Sequence, residues 1–234
     1  MRREPAPWTD LTRAVAERAR GYGLDLVQPL RLGWYNADAA QELRIGGGAA
    51  DDRLALVLGN TRALWPCFEA ALWREVRLQD DPHPLDRYCT EAVATILSAG
   101  PAPIWLRFAH ELDPPPPVPI QRVAAAAGLA HLSPSHLSIH PVHGPWIALR
   151  AVVVFDVEGP SEHAGGAPDP CGGCQKPCLP ALEEALRATA TGEHEITWKR
   201  WLQVREVCPI GNSARYGEDQ IHHHYAKRAH LPRA

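Results

Sequence analysis

Three of the six cysteines stand close together, Cys171, Cys174 and Cys178 in the run CGGCQKPC, and a fourth, Cys208, precedes a proline further along the chain. Two thiolates at C-x-x-C spacing can reach one metal, because Gly172 and Gly173 permit a tight turn that aims backbone donors at sulfur. A ferredoxin-type run would carry its last cysteine where this chain has Leu182, so Cys208 is the remaining nearby fourth ligand. Three readings stand side by side: an iron–sulfur cluster on these four residues, a structural zinc on the same four, or a thiol-rich loop with no metal or a redox pair. Tetrahedral sulfur suits both metals. Cys67 and Cys89 lie inside apolar helical patterns and are expected to pack.

Arg150 is the one charged residue between Trp146 and Phe155. A cation in a strand that reads as buried needs a partner, either an internal Asp or Glu or a ligand carboxylate. Of the 12 histidines, His222, His223 and His224 fall in a helical pattern where they cannot share a face, and most of them are expected at the surface. No Ser/His/Asp order, Walker loop or Gly-x-Gly-x-x-Gly occurs, which argues against hydrolase, kinase and Rossmann chemistry.

The 234 residues carry 24 basic and 27 acidic side chains. A net charge of -3 offers no field for a phosphate backbone, so nucleic acid is not the expected partner. No apolar run approaches the roughly 20 residues that span a bilayer. The start of the chain, with Arg2, Arg3 and Glu4, lacks the apolar stretch of a signal peptide, and a cytoplasmic location is the default expectation.

The elements that must position these residues follow from spacing. Thr9 to Arg20 has helical periodicity with Thr9 or Asp10 as N-cap; Leu24 to Tyr35 reads as a strand; Leu54 to Leu58 reads as a buried one. Helices are expected at about Ala63 to Val76 and Leu85 to Ala99, and a strand at Ile104 to Ala109. The run Pro114 to Pro117 lacks four backbone donors and must be extended. Ile120 to His131, with Ala124 to Ala127 inside it, predicts a helix that something can approach closely. Leu137 to His140 and Trp146 to Phe155 predict a strand pair, and helices return at Leu179 to Thr189, Glu195 to Val207 and about Glu218 to His230. Helices and strands mix without regular alternation, which predicts a single α+β domain over residues 1–234, built on a mainly antiparallel sheet flanked by helices, with a cysteine-rich insert at about 168–182.

Four ordered stretches carry a resemblance: Gly33-Trp34-Tyr35-Asn36; Ile139-His140-Pro141 followed by Gly144 to Arg150; Trp198-Lys199-Arg200-Trp201; and Arg215-Tyr216 with Glu218 and Gln220. Together they are similar to the cyanocobalamin-processing proteins of the methylmalonic aciduria and homocystinuria type C family, from about residue 8 to residue 230. The resemblance implies a nitroreductase-like fold and a protein that binds cobalamin base-off and removes its upper axial ligand, as a cyanocobalamin reductase or as an alkylcobalamin dealkylase using glutathione or another thiol. It implies corrinoid contacts at Val118, Pro119, Ile120 and Gln121, at Leu132, Ser133 and Pro134, and at Ser138 and Leu149. It implies glutathione contacts at Arg150, at Arg205 after a one-residue shift, and at Arg228. No acid or base is implied; orientation and a dry pocket would carry the chemistry.

The chain also departs from that pattern. A family helix histidine is Ala125 here, and the aromatic run after that helix is replaced by His131, Leu132 and Ser133. The three-cysteine cluster instead resembles the corrinoid and iron–sulfur enzyme epoxyqueuosine reductase, which leaves the electron donor open. The alternatives are a flavin-dependent reductase that holds FMN on the same fold, or a cobalamin carrier that hands its cargo to an accepting protein partner.

Overall fold

The apolar run Leu54 to Leu58 has no exposed residue and lies at the centre of a four-stranded sheet. A computed structural model of the chain describes residues 6–48, 50–163, 168–192 and 194–226. In chain order its elements are α1 (Pro7–Arg20), β1 (Leu26–Arg31), α2 (Leu32–Asn36), β2 (Arg53–Asn60), α3 (Leu64–Arg74), α4 (Val76–Gln79), α5 (Pro84–Ser98), β3 (Trp105–Phe108), α6 (Ile120–Ala126), β4 (His131–Leu132), β5 (Ser138–Ile139), β6 (Ala148–Glu158), α7 (Cys178–Thr191), α8 (His194–Glu206) and α9 (Glu218–Ile221). They form two compact units, one of Met1–Leu129 and Ala148–Ala167, the other of Ala130–Ile147 and Pro168–Ala234. The cysteine loop opens the last segment of the second.

In the first unit the sheet order is β1-β2-β6-β3, and every pairing is antiparallel. The mixed α+β architecture with a helix-flanked antiparallel sheet is therefore as the pattern predicted. Alternation sorts the two faces: Ala55, Val57, Val152 and Val154 pack with Leu30, Leu32 and Tyr35 against Val123, Ala124 and Ala127 of the alanine-rich segment. What approaches those small side chains is the sheet. On the other side α1 packs on β1, β6 and α5. Pro29 is tolerated because β1 is an edge strand.

Several boundaries differ from expectation. α1 starts at Pro7 without a side-chain cap, since proline at the first turn needs none. The strand expected to reach Tyr35 ends at Arg31, and Gly33 to Asn36 forms a helical turn held from the loop after it. Gly33 donates its N–H to the Asp51 carbonyl at 2.7 Å, and a Cβ there would lie 2.8 Å from that oxygen. Asn36, 1% exposed, donates to the Ile45 carbonyl and to Asp51 and accepts from the Ile45 N–H. The first resembling stretch is thus a packing device. The helix from Ile120 stops at Ala126 because Gly128 turns left-handed at φ 73°, which sends His131 into a strand.

The second unit overturns one pairing. The segments Leu137 to His140 and Trp146 to Phe155 do not pair with each other: β5 pairs with β4, while β6 runs in the sheet of the first unit. The turn between them closes on itself through His140 and Gly144 and goes no further. Trp146 instead packs with Leu202, Ala214, Tyr216 and Ile221, its ring edge-on to Tyr216 with centroids 5.5 Å apart. α7 and α8 pack along Ala181, Ala185 and Val204. The helix expected to run on to His230 is α-helical to Ile221, then π-helical over His222–Ala226, and its remaining expected span, 227–230, lies outside the described residues. The wider winding makes the three histidines half-buried, not exposed, with His224 against Tyr216 and His222 against Trp198.

Candidate functional site

Asp169 starts the cysteine loop. Its Oδ1 accepts the Cys171 N–H at 2.8 Å, closing an Asx turn. The Cys174 N–H returns to the Cys171 carbonyl at 3.3 Å. Lys176, left-handed at φ 56°, donates its N–H to Cys174 Sγ at 3.3 Å. A backbone donor does point at sulfur. Cys178 opens α7.

Cys208 is held from the far end of α8. Its N–H bonds the Arg205 carbonyl at 3.1 Å, and the Ile210 N–H points at its thiol. Two glycines fix that chain path: Gly144 at φ 56° and Gly211 at φ 75° let the His143–Gly144 and Ile210–Gly211 backbones cross. A Cβ on Gly144 would lie 1.9 Å from the Ile210 carbonyl oxygen, and one on Gly211 2.2 Å from the His143 carbonyl carbon. The second resembling stretch therefore fixes the chain just beyond Cys208.

The four thiols feel one another. Burial pushes Cys171 up, and the charges of Asp169, Cys178, Cys174 and Cys208 push it further. Burial pushes Cys208 up as well; the Ile210 N–H draws it back, and Cys178 and Cys174 raise it again. Both Cys171 and Cys208 are thus harder to ionise in the folded chain than free thiols. Among the described residues, however, the trio whose ligand atoms lie within 4.8 Å of one another is His131, Asp169 and Cys171. One zinc with Zn–S near 2.3 Å would hold its sulfurs about 3.8 Å apart, and no three of the four sulfurs stand that close.

The segment the resemblance gives to the corrinoid in this unit faces the loop. Leu132, Ser133 and Pro134 line a cleft of about 320 Å³ together with His131, Asp169 and Cys171. Ser133 has little to offer a ligand: its N–H reaches the Leu137 carbonyl, and its buried hydroxyl accepts the Leu137 N–H at 3.1 Å and meets Ser135 Oγ at 3.0 Å. Ser138 differs, for its Oγ is buried and has no hydrogen-bond partner among the described residues.

In the first unit Val118, Ile120 and Leu149 pack into the core below α6. Pro119 stands at the N-cap of that helix and Gln121 in its first turn. Arg150 is set by a β-bulge. Leu58 faces Ala151 and Gly59 faces Leu149, so Arg150 is the extra residue. Its Nε–H donates to Asn60 Oδ1 at 2.7 Å. Asn60, fully buried, donates to the Thr61 carbonyl, and the Thr61 N–H and hydroxyl both donate to the Asp25 carboxylate, at 2.7 and 2.6 Å. The internal partner is a neutral amide, not the Asp or Glu that sequence reasoning weighed. Among the described residues Arg150 Nη2 is buried with no hydrogen-bond partner. The same guanidinium lies near Cys89 on α5, whose thiol is pushed up by burial and drawn partly back by this charge.

The other two arginines assigned to glutathione are placed differently. Arg205 Nη1 donates to the Pro145 carbonyl at 2.8 Å and its guanidinium lies 5.9 Å from the Tyr225 ring, so this head is engaged within its own unit. Arg228 lies outside the described residues. Sequence reasoning missed His131, Asp169 and Asn60. An Asp two residues before a cysteine is a legible Asx-turn signal; the register that brings His131 to it is not.

No family model and no curated protein matches the chain. Among solved structures it is similar to the C. elegans B12-trafficking protein CblC, a human MMACHC homologue, at 17% identity over 91% of this chain and 89% of that one, with a TM-score of 0.67. That likeness is one of fold.

Proposed function

We propose that this chain is a cobalamin-binding protein that acts on the upper axial ligand of its cargo, on a nitroreductase-like fold. The observation that carries the reading is Arg150: a bulge aims a guanidinium whose Nη2 is buried without a partner, at the position the resemblance assigns to the carboxylate of a thiol co-substrate. A carboxylate there would satisfy a cation that the neutral Asn60 amide only orients. In dealkylation the thiolate attacks the cobalt-bound carbon, the new bond is S–C, and the Co–C electron pair stays on cobalt as cob(I)alamin. In decyanation one electron from an outside reductant converts Co(III) to Co(II) and cyanide departs with the bond pair. In the second unit the unpartnered Ser138 hydroxyl suits a corrin side-chain amide.

We assign Cys171, Cys174, Cys178 and Cys208 to one metal centre. The backbone N–H on Cys174 Sγ suits a metal-bound thiolate, and of zinc and an iron–sulfur cluster, both of which tetrahedral sulfur accepts, the cluster is the reading put to the test. The test is spectroscopic. Protein in excess over cyanocobalamin should shift the visible absorption of the corrinoid to shorter wavelength, and a reductant should then discharge cyanide. An unshifted spectrum refutes the reading, binding without ligand removal leaves a carrier, and a yellow preparation points to FMN. Anaerobic purification should give a brown protein containing iron and sulfide.

A further inference from the structure

One trio of metal-binding side chains joins Cys171 to two residues, His131 and Asp169, that have been given no role so far. His131 Nε2 lies 3.1 Å from Asp169 Oδ1, and with Cys171 Sγ these ligand atoms all fall within 4.8 Å of one another. The three come from two parts of the second unit, β4 and the Asx turn that opens the cysteine loop. His131 sits on β4, paired to Ile139 of β5. Asp169 is oriented by the Cys171 N–H on its Oδ1, which serves as the outer-sphere donor that ligating carboxylates use. Gly172 keeps the approach to Asp169 clear, since a Cβ there would lie 3.2 Å from Oδ2.

We infer that His131, Asp169 and Cys171 form a mononuclear site for a borderline divalent cation of the zinc class, with a coordination position open to the cleft that the same three residues line. Imidazole, carboxylate and thiolate are the three ligand types such an ion takes. Three protein ligands beside a cleft of about 320 Å³ are the open pattern, not the closed four-ligand one, so the remaining position takes water or a monodentate anion. Cys171 is common to this site and to the four-thiol centre. Where both are filled its thiolate bridges; where the four-thiol centre is empty the trio holds its ion alone. The inference needs no corrinoid.

The experiment is titration of the metal-free full chain with Co²⁺, then Zn²⁺, without cobalamin, following the ligand-field and thiolate-to-metal bands. A variant with Cys174, Cys178 and Cys208 all changed to Ser removes the four-thiol centre, and it should still bind one equivalent. His131→Gln and Asp169→Asn, each added to that background, should weaken binding by at least the ~10–100-fold that loss of an outer-sphere partner costs. Asp169 is half exposed, so Asp169→Asn tests the site even where His131→Gln fails to fold. Failure of the triple-serine variant to bind, or equal binding by Asp169→Asn, overturns the site. Loss of iron from wild type would strike only the four-thiol reading.

Discussion

Replacing Arg150 by Met separates a cation kept for a ligand from one kept for the fold. Among the described residues the side chain makes one charge-assisted hydrogen bond, to Asn60 at 2.7 Å, worth about 1.5–3 kcal/mol, and its loss leaves a buried amide oxygen short of a donor. Against this, the variant no longer buries Nη2 without a partner, a penalty of about 1–3 kcal/mol. The terms nearly cancel, so the free protein should change by about 1 kcal/mol or less, which for a chain of this size is a melting shift of about 2–4 °C. With the thiol bound the balance is different. Truncating one member of a buried, hydrogen-bonded charge pair costs about 2–5 kcal/mol, so KM for glutathione in dealkylation of methylcobalamin should rise at least about 30-fold. The control is a thiol without carboxylates, such as 2-mercaptoethanol, whose rate should be the same in both proteins. An equal loss with both thiols, or a melting point lowered by more than about 10 °C, would show that Arg150 serves the fold and would remove it from the thiol site.

Gly144→Ala should lower stability by at least about 2 kcal/mol, from the left-handed backbone alone and further from the overlap with the Ile210 carbonyl; an unchanged thermal melt would contradict the crossing. Ser138→Ala should leave stability unchanged or slightly raised, because its hydroxyl has no partner to lose, while weakening cyanocobalamin binding about 2–10-fold in a spectral titration. The Cys89 thiol is raised in the folded chain, so the folded state holds its proton at a pH where the unfolded chain, with an ordinary thiol pKa near 8.5, has released it. That contribution is present in full below about pH 8.5 and is lost as pH rises through the folded value. Denaturant melts of Cys89→Val should therefore fall less steeply with pH above about 8.5 than those of wild type, and parallel curves would disprove the assignment.

The legible part of the fold is what one-dimensional pattern encodes. Leu54 to Leu58 fits the buried strand that it forms, the periodicity from Leu85 marked α5 to within a residue, and a backbone donor on sulfur is present in the cysteine loop, though it comes from Lys176 and not from the Gly172–Gly173 turn. Long-range partners were not legible. Val142 to Pro145 has the residues of a hairpin turn, yet Gly144 is glycine because of Ile210, sixty-six positions away, and the strands on either side belong to different units. Arg150 was singled out by charge against an apolar background, but the bulge that aims it depends on Gly59 of another strand. His131 looked like a lost aromatic because its neighbour Asp169 lies 38 residues further on.

The interleaving of the two units sets the order in which this protein can be made. Among the described residues β3 pairs only with β6, and β2 has β6 as its second neighbour. A ribosome that has delivered every residue up to Leu129 has therefore released a β1–β2 ribbon in which the second backbone edge of the apolar-rich β2 is unpaired, and an orphan β3. The missing central strand emerges only after residues Ala130–Ile147, which belong elsewhere and must themselves wait for α7 and α8. Unpaired apolar strands are what chaperones bind and what nascent chains aggregate through. Pausing translation before Ala148 should thus leave a protease-sensitive chain held by chaperones, whereas release after Glu158 should protect the first unit at once.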